Sequence, residues 1–189
     1  MKTTGRLMEN EIKDLDNLIA GCTKQDRKCQ KLLYKSFYGF AMGICLRYAR
    51  NRHEATEIMN KGFLNFFFNL QSYDFQKPIK TLLGPVMVQT SISYYRAELT
   101  EPIADGIENV NLAYNQPLED HSLGYRQLLA KVQQLPDLQR LIYNLYAIDG
   151  YSDWETDKLL GKSEGTCKFN LMNARETLRK MMNYEKQRL

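Results

Sequence analysis

The sequence is poor in the residues that carry most protein chemistry. It has two histidines, His53 and His121, and four cysteines, Cys22, Cys29, Cys45 and Cys167, none in C-x-x-C or Cys/His spacing. That spacing argues against a zinc site or a disulfide framework and leaves the thiols as small buried hydrophobes. No Ser/His/Asp or Cys/His set presents itself for nucleophilic catalysis, and neither G-x-x-x-x-G-K-[ST] nor G-x-G-x-x-G occurs. A binding protein is expected rather than an enzyme, with no cofactor and no metal. Long apolar runs are missing too. The densest stretch, "GFLNFFFNL", is far shorter than the ~20 residues a membrane helix needs. The N-terminal "MKTTGRLMENEIKDL" lacks the apolar core of a signal peptide. A cytoplasmic chain with no membrane insertion is expected.

What is present is ordinary bulk and uneven charge. The 189 residues, 43% hydrophobic and 25% charged, suit one domain or two small ones. The net charge of +4 hides its distribution: residues 1–96 carry +7, residues 97–122 carry −6, and residues 123–189 carry +3. Two basic segments flanking an acidic one suit a chain that meets a polyanion at two places, although ordinary solvated faces would look the same.

Helical periodicity runs through the sequence, and no alternating strand pattern competes with it. Helices are expected at about 10–22, 26–50, 53–70 and 78–96, the last kinked early by Gly84-Pro85. Residues 97–122, with two prolines, one glycine and no helical period, read as an acidic linker. Four more helices are expected at about 123–135, 137–148, 152–159 and 163–182. Gly150 ends the second of these, and Ser152 with Glu155 forms a capping box for the third. Gly161 turns the chain, Ser163 caps the last helix, and Cys167, Leu171, Ala174, Leu178 and Met181 form its buried stripe. Two short helices joined by a Gly turn, the second long and basic, read as a helix-turn-helix, a motif that sets its second helix in the DNA major groove. An ordinary pair of antiparallel helices would carry the same signals. The fold class is all-α: two small helical domains, 1–96 and 123–189, joined by the linker.

The pieces "QQLP", "YNLYAIDGYS", "LLGKSEGT" and the terminal Ala174-Arg175 with Leu178 resemble the C-terminal promoter-binding domain of extracytoplasmic-function (ECF) RNA polymerase sigma factors of the sigma-70 family. The stretches "LYKSFYGFAMGICLRYARN", "HEATEIMNKGFLNFFFNL" and "TSISYYR" are similar to the N-terminal domain of the same family, so the resemblance covers about residues 14–182. It implies core RNA polymerase and promoter DNA as partners, with an anti-sigma factor as a further one. It implies that the third helix docks on the polymerase clamp through Glu57, Asn60, Lys61 and Phe63. The fourth helix and the loop before it would open the −10 element with Tyr73, Phe75, Lys77, Lys80, Tyr94, Tyr95 and Arg96. Unstacked bases need aromatic surfaces and the backbone needs cations, although each of these aromatics would serve equally as core. The last helix would read the −35 element with Lys162, Ser163, Thr166, Lys168, Phe169, Asn170, Asn173 and Arg175, the cations on phosphates and the rest near base edges.

The departures from the family pattern fall at these positions. Asn60-Lys61 stands where the family has Gln and an acid, a charge reversal at a polar contact. Leu82 matches a family Trp, Gly84-Pro85 two basic positions, Gln89 an Asn and Ser93 an Asp. Phe169-Asn170 and Asn173 replace a Ser-Arg pair and a further Arg; Asn can pair bidentately with adenine, which turns the helix toward A·T readout. Two expectations follow. One is a divergent sigma factor that directs promoter-specific initiation. The other is a sigma-derived helical protein that no longer initiates transcription and acts as a DNA-binding regulator or a protein–protein interaction module.

Overall fold

Apolar residues three and four positions apart demand helices, and helices are what form. The computed structural model describes residues 15–72, 77–98 and 123–186, and among these all regular structure is helical. α1 covers 15–23 of the described chain. α2 (Arg27–Tyr48), α3 (Arg52–Phe68), a 3₁₀ turn (Leu70–Ser72) and α4 (Ile79–Glu98) complete the first half. The second half holds α5 (Leu123–Gln133), α6 (Asp137–Tyr143) running on through a π turn (Asn144–Ile148), α7 (Asp153–Leu160) and α8 (Glu164–Lys186). The expected linker lies outside the described residues from 99 to 122, and its first two residues are the end of α4. No described helix is long and apolar enough to cross a membrane.

The helix starts follow local chemistry. Asp26 accepts from the Lys28 and Cys29 amides at 2.7 and 3.2 Å to open α2, and Asn51 accepts from the Glu54 amide at 2.9 Å to open α3. α4 is helical on both sides of Pro85, whose ring lacks the N–H that would bond the Thr81 carbonyl. α3 and α4 meet where Gly62 leaves no side chain: a Cβ there would sit 2.5 Å from Met87 Sδ.

The first half packs as a bundle around Leu33, Ile44, Ile58, Met59, Phe66 and Met87, all buried. That core does not stop at the first half. Leu141, Ile142, Leu145, Leu159, Leu160 and Leu171 belong to the same apolar cluster. A second, small cluster of Val132, Leu135, Ala174 and Leu178 seats α8 on α5.

The two halves are joined by polar groups as well. A helix leaves its last carbonyls without intrahelical partners. At the end of α2 those carbonyls are taken by side chains from about ninety residues further on. Gln133 Nε2 donates to Leu46 O at 2.9 Å, Asn144 Nδ2 to Arg47 O at 2.8 Å, and Arg140 Nε to Tyr48 O at 2.5 Å. The side chains of the same turn answer in kind: Arg47 Nη2 lies 2.8 Å from Asp149 Oδ1, and the Tyr48 hydroxyl donates to Asp149 Oδ2. The π turn ends with the Asp149 amide on Asn144 O at 2.9 Å, and Gly150, at φ 80°, turns the chain away. Burial and the neighbouring Asp149 charge push the Tyr48 hydroxyl far above its ordinary value, so it stays a donor. At the rim, Arg50 holds Asp137 at 2.5 Å, and Arg140 holds it from the other side at 2.6 Å.

Removing one partner of a buried pair strands the other charge, at a typical loss of about 3–5 kcal/mol. Asp149→Ala is therefore expected to lower stability by about that amount in urea unfolding, and a loss below about 1 kcal/mol would show that the junction is not held by this carboxylate. Asp137 supplies a pH test. Its hydrogen bond from Arg50, helped by Arg140, keeps its carboxyl below the usual carboxylate range. A depressed carboxyl stabilises the fold above its unfolded value, and that contribution is lost as pH falls through the folded value. Stability should fall below about pH 4, and Asp137→Asn should flatten that part of the acid limb. Superimposable limbs for the two proteins would refute it.

Candidate nucleic-acid interface

α7 and α8 are set at their angle by caps and a glycine. The Ser152 hydroxyl accepts from the Glu155 amide at 3.3 Å, and the Glu155 carboxylate accepts from the Ser152 amide at 2.8 Å, a complete capping box. The Ser152 hydroxyl, which donates to Glu155 Oε2 at 2.7 Å, and the Ser152 amide together hold the Glu155 carboxyl below its ordinary range. α7 ends at Gly161, whose φ of 62° is left-handed, a conformation that favours glycine, and the Lys162 amide closes the turn on Asp157 O at 3.1 Å. α8 then buries Cys167, Leu171, Ala174 and Leu178, with Met181 half-buried behind them. Ser163 Oγ lies 2.8 Å from Thr166 Oγ1 in its first turn.

Every residue on that buried stripe leaves another pointing out. Lys168 and Phe169, side by side, then Met172, Arg175 and Arg179 at steps of three and four form the outer stripe of α8. With Tyr146 in the π turn that follows α6, this stripe borders an open groove of about 720 Å³. Arg175 lies over the Tyr146 ring at 5.4 Å, so its guanidinium is held at the groove edge. Phe169 and Met172 are 59% and 58% exposed, a large apolar surface between cations. Asp153 and Glu176 also border the groove, and Glu176 is paired with Lys180 at 2.8 Å.

Among the residues expected to read the −35 element, the structure brings Lys168, Phe169 and Arg175 together on this open face. Ser163 is exposed beside it, and Lys162, Thr166 and Asn173 are half-buried at its border. Asn170 is half-buried and donates from its amide to Thr166 O at 2.9 Å, which ties one of its N–H groups to its own helix. Met172, Arg179 and Tyr146 were not among the expected residues. For the first two the signal was the same three-and-four spacing that places the buried stripe.

The residues expected at the −10 element scatter. Tyr73 and Phe75 lie outside the described residues. Lys77 is exposed, and Lys80 is half-buried over the Phe40 ring at 5.3 Å. Tyr95 corrects the expectation. It is 1% exposed, donates to Glu54 Oε2 at 2.8 Å and sits under Arg140 at 5.3 Å, so stacking it on a base would empty part of the core. Arg96 donates to Leu159 O at 3.3 Å, where a cation suits the carboxyl end of α7. Tyr94 stays half-exposed and meets the expected polymerase contacts: its hydroxyl donates to Glu57 at 3.1 Å and Lys61 lies over its ring at 4.8 Å.

On α3, Glu57, Asn60 and Lys61 are exposed on one face, with Asn60 accepting from the Tyr34 hydroxyl at 3.0 Å. Phe63 is the second correction: it is 2% exposed, packs tilted against the Tyr34 ring at 4.6 Å, and faces the core. The apolar groups this face does present are Leu64, 57% exposed, and Phe68, 84% exposed, one and two turns past Lys61.

Residues 125–178 match the family described as sigma-70, region 4. The ECF RNA polymerase sigma factor SigW of Bacillus subtilis (strain 168) is 27% identical over 152 residues, which is 74% of this chain and 81% of that protein. Among solved structures, the sigma factor RpoE in complex with the anti-sigma factor NepR from Bartonella quintana aligns with a TM-score of 0.49 at 17% identity, over 81% of this chain and 96% of that one. CnrH in complex with the cytosolic domain of CnrY aligns with a TM-score of 0.42 at 16% identity, over 88% and 96%.

The seat of α8 can be followed through a thiol. Burial, with Asp157 beside it, pushes the Cys167 thiol up to about 12; burial pushes Cys45 to about 12 and Cys22 to about 11. Thiolates are the reactive form. In native protein near neutral pH, an alkylating reagent should therefore leave these three unmodified until the chain unfolds. Rapid native labelling of Cys167 would mean that α8 leaves its seat.

Proposed function

We propose that this chain, a member of the extracytoplasmic-function branch of the sigma-70 family, directs promoter-specific transcription initiation by carrying core RNA polymerase to −10 and −35 promoter DNA. The observation that supports this best is the outer stripe of α8, where Lys168, Arg175 and Arg179 surround exposed apolar side chains on the second helix of a helix-turn-helix. Cations on such a helix bind phosphates of either strand, and the helix itself is the width the major groove admits.

In this reading residues 1–96 form the module that meets polymerase and the −10 element, and residues 123–189 the module that meets the −35 element. The acidic residues 97–122 connect them along a path that nucleic acid otherwise takes. The outer face of α3 docks on polymerase with Glu57, Asn60 and Lys61 as polar contacts and Leu64 and Phe68 as apolar ones. Lys77 and Tyr94 lie nearest the strand to be opened. The chemistry of RNA synthesis belongs to the polymerase, and an anti-sigma factor would act by covering one of these faces.

The reading has a geometric consequence. Two elements centred about 25 base pairs apart are separated by roughly 85 Å at ~3.4 Å per pair. A compact chain of this length is only about 40 Å across. Contact with both elements at once therefore requires the α2–α6 junction to part. The second reading, a sigma-derived regulator that no longer initiates, draws on one observation: Lys61, where the family has an acid, sits over Tyr94 in the middle of the polymerase-facing surface.

In vitro transcription with core enzyme separates the two, since promoter-dependent initiation supports the first and duplex binding without initiation supports the second. Phe68→Ala should weaken core binding by about tenfold, the scale of one well-buried interface side chain, and Lys61→Glu should strengthen it. Unchanged affinity in both would place that face outside the contact. Lys168→Ala should lower affinity for all duplexes and reduce the salt slope by about one.

A further inference from the structure

We propose that α8 recognises its duplex through thymine methyl groups, with Phe169 and Met172 as the specificity-determining side chains. The proposal rests on the reading of α8 as the −35 helix and names what it reads. Three observations carry it.

The first is exposure. Phe169 and Met172 are 59% and 58% exposed, three positions apart on one face. Leaving two large apolar groups wet forgoes the free energy of covering them, roughly 25 cal/mol per Å². A matching apolar surface is therefore favoured as the occupant.

The second is charge. Lys168, Arg175 and Arg179 border the same groove, and Arg175 is held at its edge over Tyr146, 5.4 Å from the ring centroid. An occupant that is apolar at its centre and anionic at its border fits both observations. In the major groove the apolar groups are the thymine C5 methyls, and the phosphates line both sides.

The third is the state of the amide that would otherwise read adenine. Asn170 has one N–H on Thr166 O at 2.9 Å and is half-buried, so its amide is turned along its own helix. Bidentate pairing with adenine needs that amide facing outward. The adenine readout expected of Asn170 thus falls to its apolar neighbours, with Asn173 half-buried at the border of the same face. Residues three apart are about 4.5 Å apart along the helix axis at ~1.5 Å per residue, so the two side chains reach methyls on adjacent or next-but-one base pairs.

The test begins with the full chain, alone and with core polymerase, and duplexes selected from a pool randomised in the upstream element. In the best duplex each thymine is replaced in turn by uracil, which removes only the C5 methyl. One or two positions should show a loss of about three- to fivefold each, the scale of burying one methyl group. Phe169→Ala or Met172→Ala should erase the thymine–uracil difference at one of those positions. Phe169→Leu should keep most of it, and Lys168→Ala should weaken both duplexes equally. Equal affinity for thymine and uracil duplexes overturns this inference and leaves the proposed function standing. Absence of all duplex binding overturns both. A Phe169→Ala variant that binds DNA normally and loses instead an acidic polypeptide overturns this inference alone, because the exposed apolar side chains then serve a protein.

Discussion

The carbonyls at the end of α2 must find donors, and the way they find them organises the molecule. Leu46, Arg47 and Tyr48 end a helix whose next turn is missing, and water is excluded from most of that end. Gln133, Arg140 and Asn144 supply the donors from α5 and α6. Because Arg140 is itself buried, it has to be satisfied in turn by Leu135 O and Asp137 at 2.8 and 2.6 Å. Each bond therefore depends on the next. A single face of α6 fixes where the second half sits on the first, and α7 and α8 follow from α6 through a capped turn and a glycine.

This arrangement divides the cations into two kinds. Arg47 and Arg140 point inward, Arg50 lies at the junction rim, and Arg96 reaches across to α7. They hold the protein to itself. Lys168, Arg175 and Arg179 point outward along α8. A charge count places both kinds in basic segments, although burial makes them opposite in role. The inward set forms the closed junction between the two halves.

Local signals were read correctly where the physics is local. The Ser152–Glu155 box, the turns at Gly150 and Gly161, and the buried stripe of α8 all depend on residues within a few positions of one another. Aromatics were harder. Tyr94 and Tyr95 are neighbours with the same preferences, yet one is half-exposed beside Glu57 and the other is sealed over Glu54. Phe63 and Leu64 divide the same way on α3. A shift of one residue on a helix rotates a side chain by about 100°, so which side chain stays open is decided by where the neighbouring helices pack.

By itself the sequence determined the helices, the Ser152–Glu155 cap, the helix-turn-helix and the residues that seat α8, because periodicity and capping act over one or two turns. It also carried the family resemblance in both halves. Only the tertiary structure decided that the two halves share one core, that Arg47 and Tyr95 are internal and Arg96 is tied to α7, and that the open face of α8 presents Phe169 and Met172 with Asn170 turned onto its own helix. Those outcomes depend on donors and acceptors some ninety residues apart meeting at one helix end, and no local pattern encodes such a meeting.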